Sequence, residues 1–406
     1  MPSNESEVNE IHHDRAWTVF LIFLRLGLTS FGGPVAHLGY FRTEFVLRRR
    51  WLGERRYADL VALCQFLPGP ASSQVGMAIG LSRAGFKGAL AAWAGFTLPS
   101  AILLTLFGLG LATWGAAFPS GALHGLKVVA VAVVAQAVWG MGRHLCTDAP
   151  RISIAVASAC AALLWPNAAG QVGVIAVAAV TGLIMFKPSH EPDHDPFSMP
   201  VGRRVGLALL GLFFILLLGL PIAAQAWPAQ TLAIISAFYR AGSLVFGGGH
   251  VVLPLLQSAV VPGGWTTNET FLAGYGAAQA VPGPLFTFAA FLGASMNFPP
   301  NGWVGAAICL AAIFAPSFLL VAGALPFWEQ IRHGVRTQAA LAGVNAAVVG
   351  LLLAALYQPV WTSAILGSAD FALALVALLA LMLWKLPPWA VVFGCAIAGW
   401  ILSVAL

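Results

Sequence analysis

The chain has 406 residues, of which 59% are hydrophobic and only 8% charged, with a formal net charge of +6. A soluble domain averages about 25% charged residues, so this chain cannot cover itself with a hydrated surface. Its positive charges sit in short loops between apolar stretches, where they orient a protein in a bilayer, and the basic balance therefore does not point to nucleic acid.

In chain order, residues 1–15 form a polar tail, which includes His12 and His13 and lacks the basic start and small-residue cleavage site of a secretory signal. Residues 16–186 form a first half. Its opening apolar run carries Arg25 and Ser30 and is interrupted at Gly32-Gly33-Pro34, with His37 and Glu44 just beyond. About 12 helical residues reach only about 18 Å, roughly half the hydrocarbon of a bilayer. A basic loop follows, with Arg42, Arg48, Arg49, Arg50, Arg55 and Arg56. The next segment breaks at Pro68-Gly69-Pro70, flanked by Gln65 and by Ser72, Ser73 and Gln74. Arg83 and Lys87 then make the following loop basic too, so both broken segments are expected to enter the membrane and return to the same face. Ordinary spans run from Gly88 to residue 186. Residues 187–204 are a polar cytoplasmic linker, 205–224 a connecting transmembrane helix, and 225–406 a second half.

The second half repeats the first. Phe23-Leu24-Arg25-Leu26-Gly27 and Phe31-Gly32-Gly33 are matched by Phe238-Tyr239-Arg240-Ala241-Gly242 and Phe246-Gly247-Gly248. Trp51, Gln65, Pro68-Gly69-Pro70 and Pro99-Ser100 find counterparts in Trp265, Gln279, Pro282-Gly283-Pro284 and Pro316-Ser317. So regular a spacing argues for duplication. From Ala241 to Ile331 there is no Lys or Arg, in contrast to the basic loops of the first half, so the matching loops are expected on opposite faces. The fold class expected is an all-α polytopic membrane protein of two inverted-topology repeats with broken or re-entrant helices, and such folds bind substrate near the midplane.

The chemistry is read from the breaks. Gly32-Gly33-Pro34, Pro68-Gly69-Pro70, Gly247-Gly248-Gly249 and Pro282-Gly283-Pro284 each start a new helix whose first N–H groups lack partners and carry about half a positive charge, a place for an anion. Arg25 and Arg240, inside apolar runs at equivalent positions, offer planar donor forks to an oxyanion, and loss of transport is the expectation for Arg25→Ala. Ser30, Gln65, Ser72, Ser73, Gln74, Gln279 and Thr287 add neutral donors. His37, His250 and Glu44 are the candidates for proton coupling. The plain readings stand beside these: Gly and Pro kink or closely pack membrane helices, arginines snorkel, and buried histidines bond to carbonyls. No metal or cofactor is expected, since Cys64, Cys146, Cys160, Cys309 and Cys395 form no CxxC pair, and His190 and His194 beside Asp193 and Asp195 lack a structural zinc spacing. No catalytic motif of the HExxH, GxSxG, haem CxxCH or GxxxxGK[ST] kind is present, so an enzyme is not expected.

Together, Phe31-Gly32-Gly33-Pro34, Trp51-Leu52, Gln65-Phe66-Leu67-Pro68-Gly69-Pro70 and the stretch from Gly85 to Pro99 resemble one domain of the chromate transporter (CHR) family. Phe246-Gly247-Gly248-Gly249-His250, Gln279-Ala280-Val281-Pro282-Gly283-Pro284 and Pro316-Ser317 resemble a second, giving the long two-domain type. The resemblance implies a multi-pass protein of the bacterial inner membrane that exports chromate, driven by the proton-motive force, and confers chromate resistance. Its partners would be chromate or a related oxyanion, lipid and protons, with a homodimer left open. Sulfate or another tetrahedral oxyanion, an anion channel and a membrane enzyme remain the alternatives. The second half departs from the first where Gly249 replaces Pro34 and Phe286-Thr287-Phe288 replaces Ser72-Ser73-Gln74, which favours a single asymmetric site.

Overall fold

The computed structural model describes residues 15–115, 118–186, 201–332 and 334–405. The expected tail, including His12 and His13, and residues 187–200 of the expected linker, with His190, Asp193, His194 and Asp195, lie outside the described residues.

The described residues are helical, without strands. The first half runs α1 (Ala16–Thr29), α2 (Gly33–Phe41) with a π-helical turn (Arg42–Arg48), α3 (Glu54–Phe66), α4 (Ala71–Trp114), α5 (Ser120–Leu145), α6 (Ala149–Leu164) and α7 (Ala168–Met185). A separate helix, α8 (Arg203–Ala226), leads to the second half: α9 (Gln230–Ser243), α10 (Val252–Val260), α11 (Asn268–Ala278), α12 (Phe288–Ala294), α13 (Gly302–Ala324), α14 (Trp328–Arg332), α15 (Val335–Ala355), α16 (Thr362–Ala364), α17 (Ser368–Met382) and α18 (Pro388–Ala405). Six of these helices or helical stretches are long and apolar enough to cross about 30 Å of hydrocarbon. They occur with shorter apolar helices that the breaks create. On α8, Leu207, Ile215, Leu218 and Ile222 are all at least 60% exposed, which suits a solvent of lipid.

Both broken segments of the first half turn back on themselves. Phe23 of α1 packs against Phe41 and Phe45 beyond the break, with ring centroids 5.6 and 5.0 Å apart, so α1 and α2 run out and back. Arg49 and Arg83 both place their guanidinium over the Trp51 ring, at 5.6 and 4.8 Å. The end of the α3–α4 hairpin therefore returns to the face carrying the basic loop. At Ala84 and Gly85 α4 leaves helical geometry and reverses, and a methyl on Gly80 would lie only 2.3 Å from the Gly88 carbonyl oxygen. The rest of α4, then α5, α7 and α8, are long and apolar enough to cross a membrane, and the shorter apolar α6 lies among them in the chain.

The halves interlock by exchange. Helix α5 packs between α17 and α18 of the second half, and its counterpart α15 packs against α6 and α7 of the first. The approach is close enough to require glycine. A methyl on Gly125 would lie 2.1 Å from the Cys395 carbonyl oxygen, and one on the matching Gly343 would lie 2.1 Å from that of Ala178. Small residues let helices pack where lipid gives no hydrophobic drive to associate.

Candidate functional site

The four helix breaks meet, and they do so by reciprocal hydrogen bonds between the halves. Gly69 N–H of the first Pro-Gly-Pro turn donates to the carbonyl of Val245, beside the second half's glycine break, at 2.7 Å. Gly283 N–H of the second turn donates to the carbonyl of Ser30, beside the first half's break, at 2.9 Å. Both turn glycines have positive φ, +126° and +100°, and each faces the hydroxyl of the other half's Pro-Ser pair: methyls there would sit 2.7 Å from Ser317 Oγ and 2.9 Å from Ser100 Oγ. No other residue fits either place without displacement.

A cavity of about 120 Å³ lies at this junction, far more than the roughly 10–15 Å³ one water needs. Gly32, Gly33 and Pro34 at the start of α2 line it, together with Gln279, Gly283 and His250 of the second half, while Val133 and Gln136 of α5 and Leu381 of α17 close the wall. Two of the four breaks therefore reach one space, joined by His250 next to a third. The cavity lies toward the face of the basic loops, since Leu381 and Pro388 flank the α17–α18 loop that holds Lys385. Its lining carries no fixed charge. A helix start and side-chain amides line it instead, groups whose chemistry suits holding an anion without trapping it. His250 Nδ1 is hydrogen bonded to Tyr275 Oη at 2.7 Å, which orients the ring at the cavity wall.

The remaining first-half donors are sealed beside it. Ser30, His37, Ser72, Ser73 and Gln74 are buried. Ser30 Oγ, His37 Nε2, Ser73 Oγ and Gln74 Oε1 have no protein partner, and neither have Thr97 Oγ1 and Ser317 Oγ next to them. His37 Nδ1 lies 3.3 Å from Ser72 Oγ and its ring packs edge-on to Phe96, while Gln74 Nε2 donates to the Pro68 carbonyl at 2.7 Å. An unpaired buried polar group costs about 1–3 kcal/mol, so a cluster of six marks a place built for a ligand or water rather than for packing.

Other sequence candidates stand elsewhere. Arg25 lies on the outward face of α1, with Leu21 and Leu28, because the buried stripe of that helix runs through Ile22, Phe23, Leu26 and Gly27. Gln65 is exposed near the end of α3, and Arg240 is half-buried in the last turn of α9; neither lines the cavity. Gly247 and Gly248 pack toward Met141 and Leu145 of α5, and Thr287 Oγ1 bonds to the Pro284 carbonyl at 2.8 Å. Glu44 is held by Arg49 at 2.6 Å and Arg48 at 3.2 Å, at the mouth of the first hairpin. Burial raises its pKa, but the two arginines outweigh burial and leave it below the ordinary carboxylate value. Gln136 and Thr97 were not singled out from the sequence. A lone amide in the apolar run from Val128 to Val138 was the available signal for Gln136. Among the described residues, no group of three or more His, Cys, Asp or Glu is placed to hold a metal ion.

The family model described as chromate transporter matches twice, over residues 17–183 and 232–400. A chromate transport protein of Pseudomonas aeruginosa is 30% identical, over 94% of this chain and 91% of its own length. One from Cupriavidus metallidurans is 25% identical, over 98% and 96%. An uncharacterized transporter of Methanocaldococcus jannaschii is 26% identical, over 87% and 86%. No solved structure matches the chain.

Proposed function

The chain belongs to the chromate transporter family, and from that membership and the geometry of the junction we propose that it exports chromate from the cytoplasm by alternating access, coupled to the proton-motive force, in the bacterial inner membrane. A transporter and not an enzyme is what the family's members are. The observation that carries the reading is the reciprocal clasp, Gly69 to Val245 and Gly283 to Ser30, which gathers helix starts from both halves around one uncharged cavity.

In this reading chromate enters from the basic, cytoplasmic face and is held by the N–H groups at the start of α2, with Gln136 and Gln279 as amide donors. A second cavity, of about 350 Å³, supports the alternation. It is lined by Leu163, Leu351 and Ala354, the repeat counterparts of Leu381, Val133 and Gln136, and by Gln171, Pro254 and Gln257. It occupies the equivalent place in the other repeat, yet it is walled by α10 and not by the glycine break. Exchange of the two conformations between repeats would close the first cavity, deepen the second, and pass the anion across the sealed cluster of Ser30, Ser73, Thr97 and Ser317.

Everted membrane vesicles test this. Uptake of chromate, driven by an acid-inside gradient and abolished by an uncoupler, is the expected outcome and would also account for resistance in cells. Uptake of sulfate with none of chromate would overturn the substrate, and flux at channel rates without a gradient would overturn the carrier mechanism.

A further inference from the structure

At the end of the molecule away from the basic loops, a histidine–carboxylate hydrogen bond joins the two halves. His124, in the second turn of α5, places Nε2 2.8 Å from Oδ1 of Asp370, in the first turn of α17. The other carboxylate oxygen accepts from the backbone N–H groups of Leu366 and Gly367 at 2.9 and 3.1 Å. Asp370 thus caps α17 and ties it to α5 at once. The two side chains keep 23% and 17% of their exposure, and His124 borders a cavity of about 230 Å³ that gives water access. Lys127 of α5 and Glu269 of α11 line the same cavity; α15 and α18, also packed on α5, bring no charged residue to this end.

The position matters because the same two helices wall the anion cavity at their other ends. Gln136 lies twelve residues along α5 from His124, about 18 Å, and Leu381 lies eleven residues along α17 from Asp370, about 16 Å. Any change in the spacing of α5 and α17 at the pair is carried down two rigid rods to the cavity. The repeat does not reproduce the pair, since Ala342 and Ile152 stand at the matching positions, so the device works on one face alone.

We propose that the His124–Asp370 pair is the proton-binding site of the transport cycle, loaded from the cavity it borders; this rests on the proton-coupled reading above. With His124 neutral, its Nε2–H donates one hydrogen bond to the carboxylate. A proton taken from cavity water by Nδ1 makes the ring an imidazolium, turns the hydrogen bond into an ion pair, and draws α5 onto α17. Its return to water on Nδ1 deprotonation relaxes the two helices, with no covalent bond made or broken elsewhere. Lys127 and Glu269, of opposite sign, set the field in which the exchange occurs.

Purified protein in liposomes separates the roles. Chromate exchange at equal pH on both sides reports the folded carrier, and acceleration of net uptake by an imposed pH gradient reports coupling. D370N keeps an oxygen for Leu366 and Gly367 and an amide for His124 but cannot form the ion pair; H124Q removes the imidazole. Both are expected to exchange chromate within about two-fold of wild type and to lose the gradient's acceleration. If wild type is accelerated and both variants are too, the proposal is wrong while coupling stands. Loss of exchange in both would make the pair structural and overturn it as well. A wild type indifferent to the gradient would overturn the coupled reading and take this proposal with it.

Discussion

The two halves share one backbone plan and divide its chemistry unequally. At matching positions, Ser30 faces Val245, His37 faces Val252, Gln74 faces Phe288 and Thr97 faces Phe314. In the first half these residues are buried, and Ser30 Oγ, His37 Nε2, Gln74 Oε1 and Thr97 Oγ1 lack a hydrogen-bond partner. In the second, aromatic rings fill the space, with Phe286 tilted against Phe314, and Phe288 packed against Phe271, Tyr275 and Phe291. Duplication therefore supplied the frame twice, and divergence left one copy as a polar passage and the other as its packed support. The difference teaches why a two-fold arrangement of breaks need not mean two equal sites: in the proposed mechanism geometry comes from the pair, and solvation of the anion mainly from one member.

The strongest way to break this comparison is at the clasp itself, where the halves are still equivalent. Gly69→Ala and Gly283→Ala each force a side chain into a left-handed turn, at a cost of about 1–3 kcal/mol. Each also drives a methyl against Ser317 or Ser100. Both are expected to lower chromate transport at least ten-fold in vesicles with the protein still inserted, and by similar amounts. An intact Gly283→Ala carrier beside a dead Gly69→Ala one would show that only one turn matters.

The glutamines before the two turns sharpen the asymmetry. Gln279 lines the cavity and Gln65 is exposed, although the sequence places them identically. A hydrogen bond to a charged ligand contributes about 1.5–3 kcal/mol, or roughly ten-fold or more in affinity. Gln279→Ala should raise the KM for chromate by about that factor and Gln65→Ala by less than two-fold. Equal effects would restore a symmetric site. Gln136→Ala, on unbroken α5, is expected to resemble Gln279→Ala. For the arginines a smaller effect is expected: Arg25, pointing outward, should tolerate Ala with transport within about two-fold of wild type.

Much of this was legible in the residues. Repeated breaks at constant spacing pointed to two halves, and the mismatch of charge between equivalent loops set the expectation of opposite orientation. Even the return of the α3–α4 hairpin followed from Arg83 and Lys87. What stayed hidden was which face of each helix turns inward and which distant residues meet. Arg25 looked like a ligand because it sits in an apolar run, but helical periodicity through Phe23 and Gly27 turns it away from the cavity. His124 and Asp370 are 246 residues apart, and no local pattern joins them. Thr97 lies within a helix that continues through the site, so no break drew attention to it.

Glu44 gives the smallest effect and a check on the first half's hairpin alone, since the matching residue of the second half is Ala259. Its bonds to Arg48 and Arg49 hold its pKa below the ordinary carboxylate value, against the opposing pull of burial. A carboxyl depressed in the folded state contributes stability that is present above its unfolded pKa and is lost as the pH falls through the folded one. The wild-type hairpin should therefore protect its amides over residues 42–49 from exchange, relative to their intrinsic rates, at neutral pH, and lose that protection once the pH falls below the ordinary carboxylate range. Glu44→Gln should show the weaker protection at both, with chromate transport at neutral pH nearly unchanged. A group that stays ionised through the range in which the carrier works has no proton to deliver, so a pH-dependence of transport that vanished in Glu44→Gln would place the coupling site at this mouth instead of at the far end of α5.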